Sequence, residues 1–366
     1  MSSIQSGSLG GPPALHRAAE IPYGPLGKLA LYNISCNLLQ ANDNCMSRRY
    51  RAEAGERIDD RKTCPNLTNF LLSPGWQTNR RGGPAWPTRI AHHCWTRKRR
   101  NGSMQLFPSA CIWLHEPPID EALKRLKITA YHFVDASPSA LEAPGVQDTL
   151  KGLGLKVSCV VLDSDLPSGL SLDGKEDGTR RKTVEHLKQA LKKCESVGAQ
   201  VAYVCSCADK RQLDRFGQIL PELAEEAAQH GIKLCIEHVP GRALPAAAGA
   251  LAFVEKVGHP NLYLLLDVGH TLLSKEKPWE IIEAAGKRLG YVQLNDNDGK
   301  KDRHWALLDG RLTMEDLIKT LAALKKAGYG STLGLELKPK PRISLISDFS
   351  RNHNLILRIL GELEKL

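Results

Sequence analysis

In the C-terminal half of the chain, four apolar runs stop where an ionisable side chain begins. KLCIEH ends on Glu237 and His238. LYLLLD ends on Asp267, with His270 three residues on, and LGLELKP carries Glu336. Between them YVQLNDND holds Gln293, Asn295 and Asp296, and GKKDRH adds Asp302 and His304. Carboxylates, amides and imidazoles are the side chains that bind divalent cations and move protons. One such carboxylate alone is commonly a helix cap or an ion-pair partner. Four consecutive runs ending this way point to one shared site.

Glu237, Asp267 and Glu336 would repel if brought within a few ångströms, by roughly 4 kcal/mol per pair at 4 Å and an effective dielectric of about 20. That is large against a net stability of about 5–15 kcal/mol, so protons or a cation must offset it. Carboxylates are hard oxygen ligands. An oxygen-dominated set with an amide and no thiolate favours Mn²⁺ or Mg²⁺, with Co²⁺ or Zn²⁺ also compatible.

The elements that must position these residues can be read from about residue 106 onward. SACIWLH, TAYHFVDA, LKVSCVVLD, AQVAYVCSC, IKLCIEH, NLYLLLDVG, GYVQLND and STLGLELKP are strand-like, and each is followed by an amphipathic helical stretch. Several helices close on glycine, at Gly198, Gly231, Gly258 and Gly328, as expected where positive φ is needed. Strand–helix alternation implies a parallel sheet. Eight units in this length fit an α/β fold of (β/α)8 barrel type, whose chemistry sits at the carboxyl ends of the strands. A doubly wound open sheet would need a GxGxxG turn early on, and the first two units contain none.

The segments EHVPGR, LDVGH, QLNDNDGKKDRH and GLELKP, in this order and at these strand ends, resemble the xylose isomerase-like TIM-barrel superfamily, and within it the sugar phosphate isomerase/epimerase group. The resemblance spans the barrel, best over about residues 180–340. It implies a divalent metal held by Glu237, Asp267 and Glu336, with His270 binding substrate or a second metal and Asp302 and His304 lining the same mouth. Relatives usually place a histidine ligand where this chain has Gln293. A glutamine carbonyl can ligate a hard cation, but more weakly and without charge.

The mechanism this implies is proton transfer next to a carbonyl, with the cation stabilising the developing enediolate. Glu237 and Glu336 would act from opposite sides of the substrate, one removing a proton and the other returning one. The expected partner is a small sugar or sugar phosphate, with His238 and Arg242 as candidates for contacting a hydroxyl or phosphate. His115 and His132, in the first two units, are read as packing or rim residues. The same superfamily hosts abasic-site endonucleases, the main alternative; their trinuclear zinc site needs further histidines that the third and fourth strands here lack. A sugar-binding barrel without turnover is the other alternative, and Gln293 is the feature that favours it.

Composition bounds these readings. Of 366 residues, 42% are hydrophobic, ample for a core, and no apolar run reaches the roughly 18 residues of a membrane span. The ten cysteines lack paired spacing, which suits free thiols in a reducing compartment. The first residues carry no basic-then-apolar order, so a cytoplasmic location is expected. The net charge of +10 suggests nucleic acid until it is located: residues 1–103 hold 15 Lys and Arg against 6 Asp and Glu, leaving 35 against 34 for the rest. Nucleic acid is therefore not the expected partner of the barrel. Residues 1–105 read as a basic extension, poorly structured or irregular, ahead of a barrel domain over 106–366. Within it, KLALYNIS is strand-like, its basic and aromatic residues suit a nucleic-acid arm, and His92-His93-Cys94 lacks the second cluster a metal site needs. Such barrels often pair, so a homodimer is compatible with the sequence.

Overall fold

The computed structural model of the protein describes residues 105–115, 117–338 and 344–365. Residues 1–104 lie outside this set, and with them the extension, its strand-like piece and the His92-His93-Cys94 cluster.

Eight parallel strands close into a barrel in sequence order: β1 (Pro108–Cys111), β2 (Phe133–Ala136), β3 (Lys156–Val161), β4 (Val201–Cys205), β5 (Lys233–Glu237), β6 (Leu262–Asp267), β7 (Leu289–Leu294) and β8 (Leu333–Leu335). The helices run as α1 (Ile119–Ile128), α2 (Pro138–Glu142), α3 (Val146–Leu153), α4 (Asp177–Ser196), α5 (Leu213–Gln229), α6 (Ala247–Val257), α7 (Val268–Ser274), α8 (Pro278–Ala285), α9 (Met314–Lys326) and α10 (Leu345–Leu363). The expected (β/α)8 architecture is therefore present.

Two departures have local causes. The single helix expected after β2 is split, because Pro144 and Gly145 interrupt it and Gly145 takes φ 74°. After β6, VGHTLLS forms an extra short helix capped by Asp267, whose side chain accepts a hydrogen bond from the His270 N–H. The four expected glycine terminators all have positive φ.

Strand side chains alternate between faces, and here the alternation separates two apolar layers. Leu262, Leu264 and Leu266 of β6 join the layer packed under the helices. Leu265 joins a smaller cluster inside the barrel with Cys159, Val161, Tyr203, Cys235 and Tyr291. Asp267 continues the inward series of β6. By the same count Glu237 follows Cys235, Cys205 follows Tyr203, Gln293 follows Tyr291, and Glu336 follows Gly334. The apolar strand run and its terminal polar residue are thus one pattern in β4 to β8: the inward position that ends the run leaves the packed interior toward the mouth.

Candidate active site

Strand register sets the floor of the site, since Asp267 pairs with Gln293 across β6–β7 and Gln293 with Gly334 across β7–β8. Asp267 is fully buried and its two oxygens are fixed separately. Oδ1 accepts from the His270 N–H at 2.9 Å and Oδ2 from Asn295 Nδ2 at 2.8 Å. Asn295 packs so tightly on α7 that a Cβ at Gly269 would come within 1.7 Å of its Oδ1, so this position demands glycine.

The His270 ring is oriented by Nδ1, 2.7 Å from the His238 carbonyl. A carbonyl only accepts, so Nδ1 carries a proton and Nε2 faces the site. Nε2 lies 3.3 Å from Asp302 Oδ2, which is 2.9 Å from His304 Nε2. His304 Nδ1 in turn is 3.8 Å from Glu336 Oε1, and His270 Nδ1 is 3.7 Å from Glu237 Oε1. Three overlapping groups result, Glu237–Asp267–His270, Asp267–His304–Glu336 and His270–Asp302–His304, each with ligand atoms within 4.8 Å of one another.

His304 adopts φ 49°, an unfavourable backbone conformation for a residue with a side chain. The surrounding loop holds it there. Lys338 N donates to its carbonyl at 2.8 Å, and Trp305 next to it pairs with Asp296. Asp296 also gathers the backbone N–H groups of Asn297, Gly310, Arg311 and Leu312 at 2.7–2.9 Å. A buried carboxylate with this many donors is an organiser of the loop that carries Asp302 and His304.

The charges compensate one another. Burial raises the Glu237 pKa, to about 8, with Glu336 and Asp267 adding repulsion against the pull of His270. Burial likewise raises Glu336, opposed by His304. For His304, burial disfavours the imidazolium, but Glu336, Asp302 and Asp267 outweigh it and raise the pKa to about 9. His270 is raised for the same reason, by Asp267, Asp302 and Glu237 against its burial. Asp302 is held well below the usual carboxylate range, because its hydrogen bonds to the two histidines overcome its own burial. Protons on two imidazoles and on a carboxyl therefore stand where the sequence argument required a compensating charge.

The donor types suit a divalent cation, and Asp267 belongs to two three-ligand groups, one with Glu237 and one with Glu336. Glu237, Asp267 and Glu336 supply hard oxygens, and Gln293 supplies a buried Oε1 with no hydrogen-bond partner, while its Nε2 reaches only the Tyr203 hydroxyl at 3.3 Å. A buried carbonyl oxygen without a donor is unfavourable, and a hard cation is one partner that would satisfy it.

Of the residues expected from sequence, Glu237, Arg242 and Glu336 line a cavity of about 520 Å³ at the mouth. Asp267, His270, Gln293 and His304 are buried against them, and Asp302 is exposed at the rim. His238 does not reach the cavity. It is fully buried, its Nε2 accepts from the Asp267 N–H at 3.2 Å, and burial together with His270 lowers its pKa to about 3. Its ring and carbonyl thus set Asp267 and His270 from behind. His115 stacks on Phe349 at 5.1 Å, and burial lowers its pKa to about 4, as expected of a packing residue. Trp113 and Cys205 carried no sequence signal beyond an inward position, the latter placing its thiol 3.3 Å from Glu237 Oε2, whereas Asp163, which also lines the cavity, ends the apolar run LKVSCVVLD and had the same signal as Asp267.

The last four strands of this closed eight-stranded barrel thus gather carboxylates, an amide and histidines at their carboxyl ends. The family model described as xylose isomerase-like TIM barrel matches residues 121–352, and the chain belongs to that family. A putative hydroxypyruvate isomerase of Streptomyces coelicolor is 31% identical over 218 residues, which is 56% of this chain and 74% of that protein. An L-ribulose 3-epimerase of Mesorhizobium japonicum is 26% identical over 212 residues, 54% of this chain and 67% of that protein. Among solved structures, a xylose isomerase domain protein from Alicyclobacillus acidocaldarius superposes with a TM-score of 0.60 at 19% identity, covering 71% of this chain and all of the other. A D-tagatose 3-epimerase-like protein gives 0.58 at 19% identity, covering 71% and 99%. At these identities the structures establish the fold. Among the described residues no helix is long and apolar enough to cross a membrane.

Proposed function

We propose that this protein is a divalent-metal-assisted isomerase or epimerase of a small hydroxy-carbonyl compound of the sugar or sugar phosphate class. The observation that carries this reading is the pair Glu237 and Glu336. They are buried carboxyls at the ends of β5 and β8 that face one cavity, both with pKa values raised by burial. A carboxyl tuned this way is suited to take a proton from carbon and give one back. The isomerase and epimerase names of the relatives support it.

Glu237, Asp267, Gln293 and Glu336 would hold the cation, Mn²⁺ or Mg²⁺ by the hardness of the set. When bound it supplies Lewis acidity toward the substrate carbonyl and the negative charge that develops there. Glu237 and Glu336 exchange protons with the substrate, one accepting from the carbon next to the carbonyl and the other donating. Return to the opposite face of the same carbon gives epimerisation, and return to the neighbouring carbon gives isomerisation. The Cys205 thiol donates a weak hydrogen bond to Glu237 Oε2. His270 and His304, joined through Asp302, orient substrate hydroxyls at the rim. Trp113 and Leu172 add apolar surface to the lining of the same cavity.

The test is elemental analysis of the full chain together with deuterium uptake from D₂O into ketoses and hydroxypyruvate, for wild type and Glu237→Gln/Glu336→Gln. About one Mn²⁺ or Mg²⁺ per chain and metal-dependent exchange, both lost in the double variant, are expected. Three zinc ions per chain without exchange would favour the nuclease alternative, and a metal-free protein without exchange would favour the binding barrel.

A further inference from the structure

Arg242 lies in the turn after β5, five residues beyond Glu237, and lines the same cavity as Glu237 and Glu336. It is the only Lys or Arg among the described residues of that wall. The turn is braced from both sides: Arg242 N donates to the Val239 carbonyl at 3.1 Å, Val239 N to Leu244 at 3.0 Å, and Ala243 N to the Cys207 carbonyl at 2.9 Å. Yet the Arg242 Nε is buried with no hydrogen-bond partner.

Two further carboxylates of the cavity wall accept from other donors. Asp163 accepts from the Cys205 N–H at 3.1 and 3.3 Å. Asp173 accepts from the Ala208 N–H at 3.0 Å and from the Ser171 hydroxyl. Asp163 feels the charge of Arg242, but no ion pair joins them. A guanidinium presents a planar fork of donors that matches a carboxylate or phosphate with two parallel bonds, where a neutral hydroxyl accepts less well. A buried N–H of that fork without an acceptor is unfavourable until a ligand brings one.

We propose that Arg242 receives an anionic oxygen group of the substrate, a carboxylate or a phosphate ester, at the end remote from the carbonyl that Glu237 and Glu336 act on. The proposal rests on the reading of this cavity as the substrate site. A volume of about 520 Å³ accommodates a short chain spanning both ends. Arg242 is then a specificity residue: it selects acidic hydroxy-carbonyl compounds over neutral ketoses of the same length.

The test is calorimetric binding of glycerol, glycerate and glycerol 3-phosphate to the full chain, metal-loaded and after EDTA treatment, for wild type, R242Q and R242K. At least one of the two anions should bind roughly 10- to 100-fold more tightly than glycerol, the range of a charge-assisted hydrogen bond. R242Q should abolish the preference and R242K retain part of it, in both metal states. Preference for glycerate identifies a carboxylate, and preference for glycerol 3-phosphate a phosphate. Equal binding of all three, no measurable binding of either anion, or a preference unchanged in both variants overturns the proposal. The isomerase reading fails separately: an Arg242-dependent anion preference without deuterium exchange sinks that reading alone, and exchange into neutral ketoses without anion preference sinks the role of Arg242 alone.

Discussion

Two inward-facing carboxyls of this barrel are both buried and differ in the donors that the fold gives them. Asp135, on β2, accepts hydrogen bonds from the hydroxyls of Ser109 at 2.6 Å, Ser158 at 2.5 Å and Tyr291 at 2.8 Å. It reaches across the interior to β8, where a Cβ at Gly334 would meet its Oδ2 at 2.5 Å. Glu237, on β5, has one weak thiol donor and an imidazole at 3.7 Å, and otherwise faces other carboxylates and the cavity. Burial raises the pKa of both; at Asp135 three hydroxyls pull it back, while at Glu237 the pull of His270 is opposed by two carboxylates that push it further. The difference separates a carboxyl satisfied by the fold from one left for a ligand. Burial and charge alone do not mark a site; the lack of fixed donors does.

The largest effect that tests this contrast is on rate. Glu237→Gln or Glu336→Gln should lower kcat by about 10² to 10⁴, the usual contribution of a positioned acid or base. The amide resembles the protonated carboxyl, so the melting temperature of the metal-free protein should barely move. Asp135→Ala should do the reverse. It removes the common acceptor of three buried hydroxyls, which keep only Ser109–Ser158 and Tyr291–Thr332 contacts, and opens a void, for a loss of about 2–4 kcal/mol in denaturant unfolding, with metal stoichiometry of the folded protein retained. A collapse of stability in Glu237→Gln, or a stable Asp135→Ala without activity, would break the comparison.

The next effect is on pH dependence. In the metal-free protein His304 is raised from 6.5 to about 9, so its folded form holds a proton that the unfolded chain gives up. Its contribution is complete below about pH 6.5 and disappears as pH rises through 9. Glu237, raised to about 8, acts in the same direction. Asp302 is lowered, so its contribution is lost only in acid and does not offset the others here. Unfolding midpoints of the EDTA-treated protein should therefore fall between about pH 6.5 and 9. Added Mn²⁺ should flatten the decline by replacing the protons, and His304→Gln should flatten it without metal. A midpoint that rises with pH over this range would show that the site is not proton-compensated.

The sequence carried the barrel and most of the site because both follow from alternation. An apolar run ending on a carboxylate announces a strand and its mouth-facing residue together, as LYLLLD does for Asp267. Asp135 shows the limit of that rule. FVDA also ends near a carboxylate, and only the crossing to Tyr291 and Gly334, remote in sequence, makes it structural. His238 failed for a related reason: it follows Glu237 directly, so it points to the opposite face and packs behind the site. Cys205 sits at an inward strand end, but a thiol resembles any small apolar residue until Glu237 is placed beside it. The short helix α7 was missed because its signal is the Asp267 cap, a residue that also reads as a ligand.

The smallest effect sharpens the comparison at the Glu237 side. If the fold gives Glu237 almost no fixed donors, its single partner must matter little for stability and a little for chemistry. The Cys205 thiol is a weak donor at 3.3 Å, and burial raises its own pKa well above the usual thiol range, so it stays protonated and donates. Cys205→Ala frees Glu237 Oε2 without adding charge. The deuterium-exchange rate should fall less than about tenfold, in keeping with loss of one weak hydrogen bond worth roughly 1 kcal/mol. The acid limb of the pH–rate profile should move to higher pH, because the thiol favours the carboxylate form. Cys205→Ser, with a stronger donor, should move the limb the opposite way at a similar rate. A hundredfold loss in Cys205→Ala, or limbs that move together, would show that Cys205 organises the site rather than tuning one carboxyl within it.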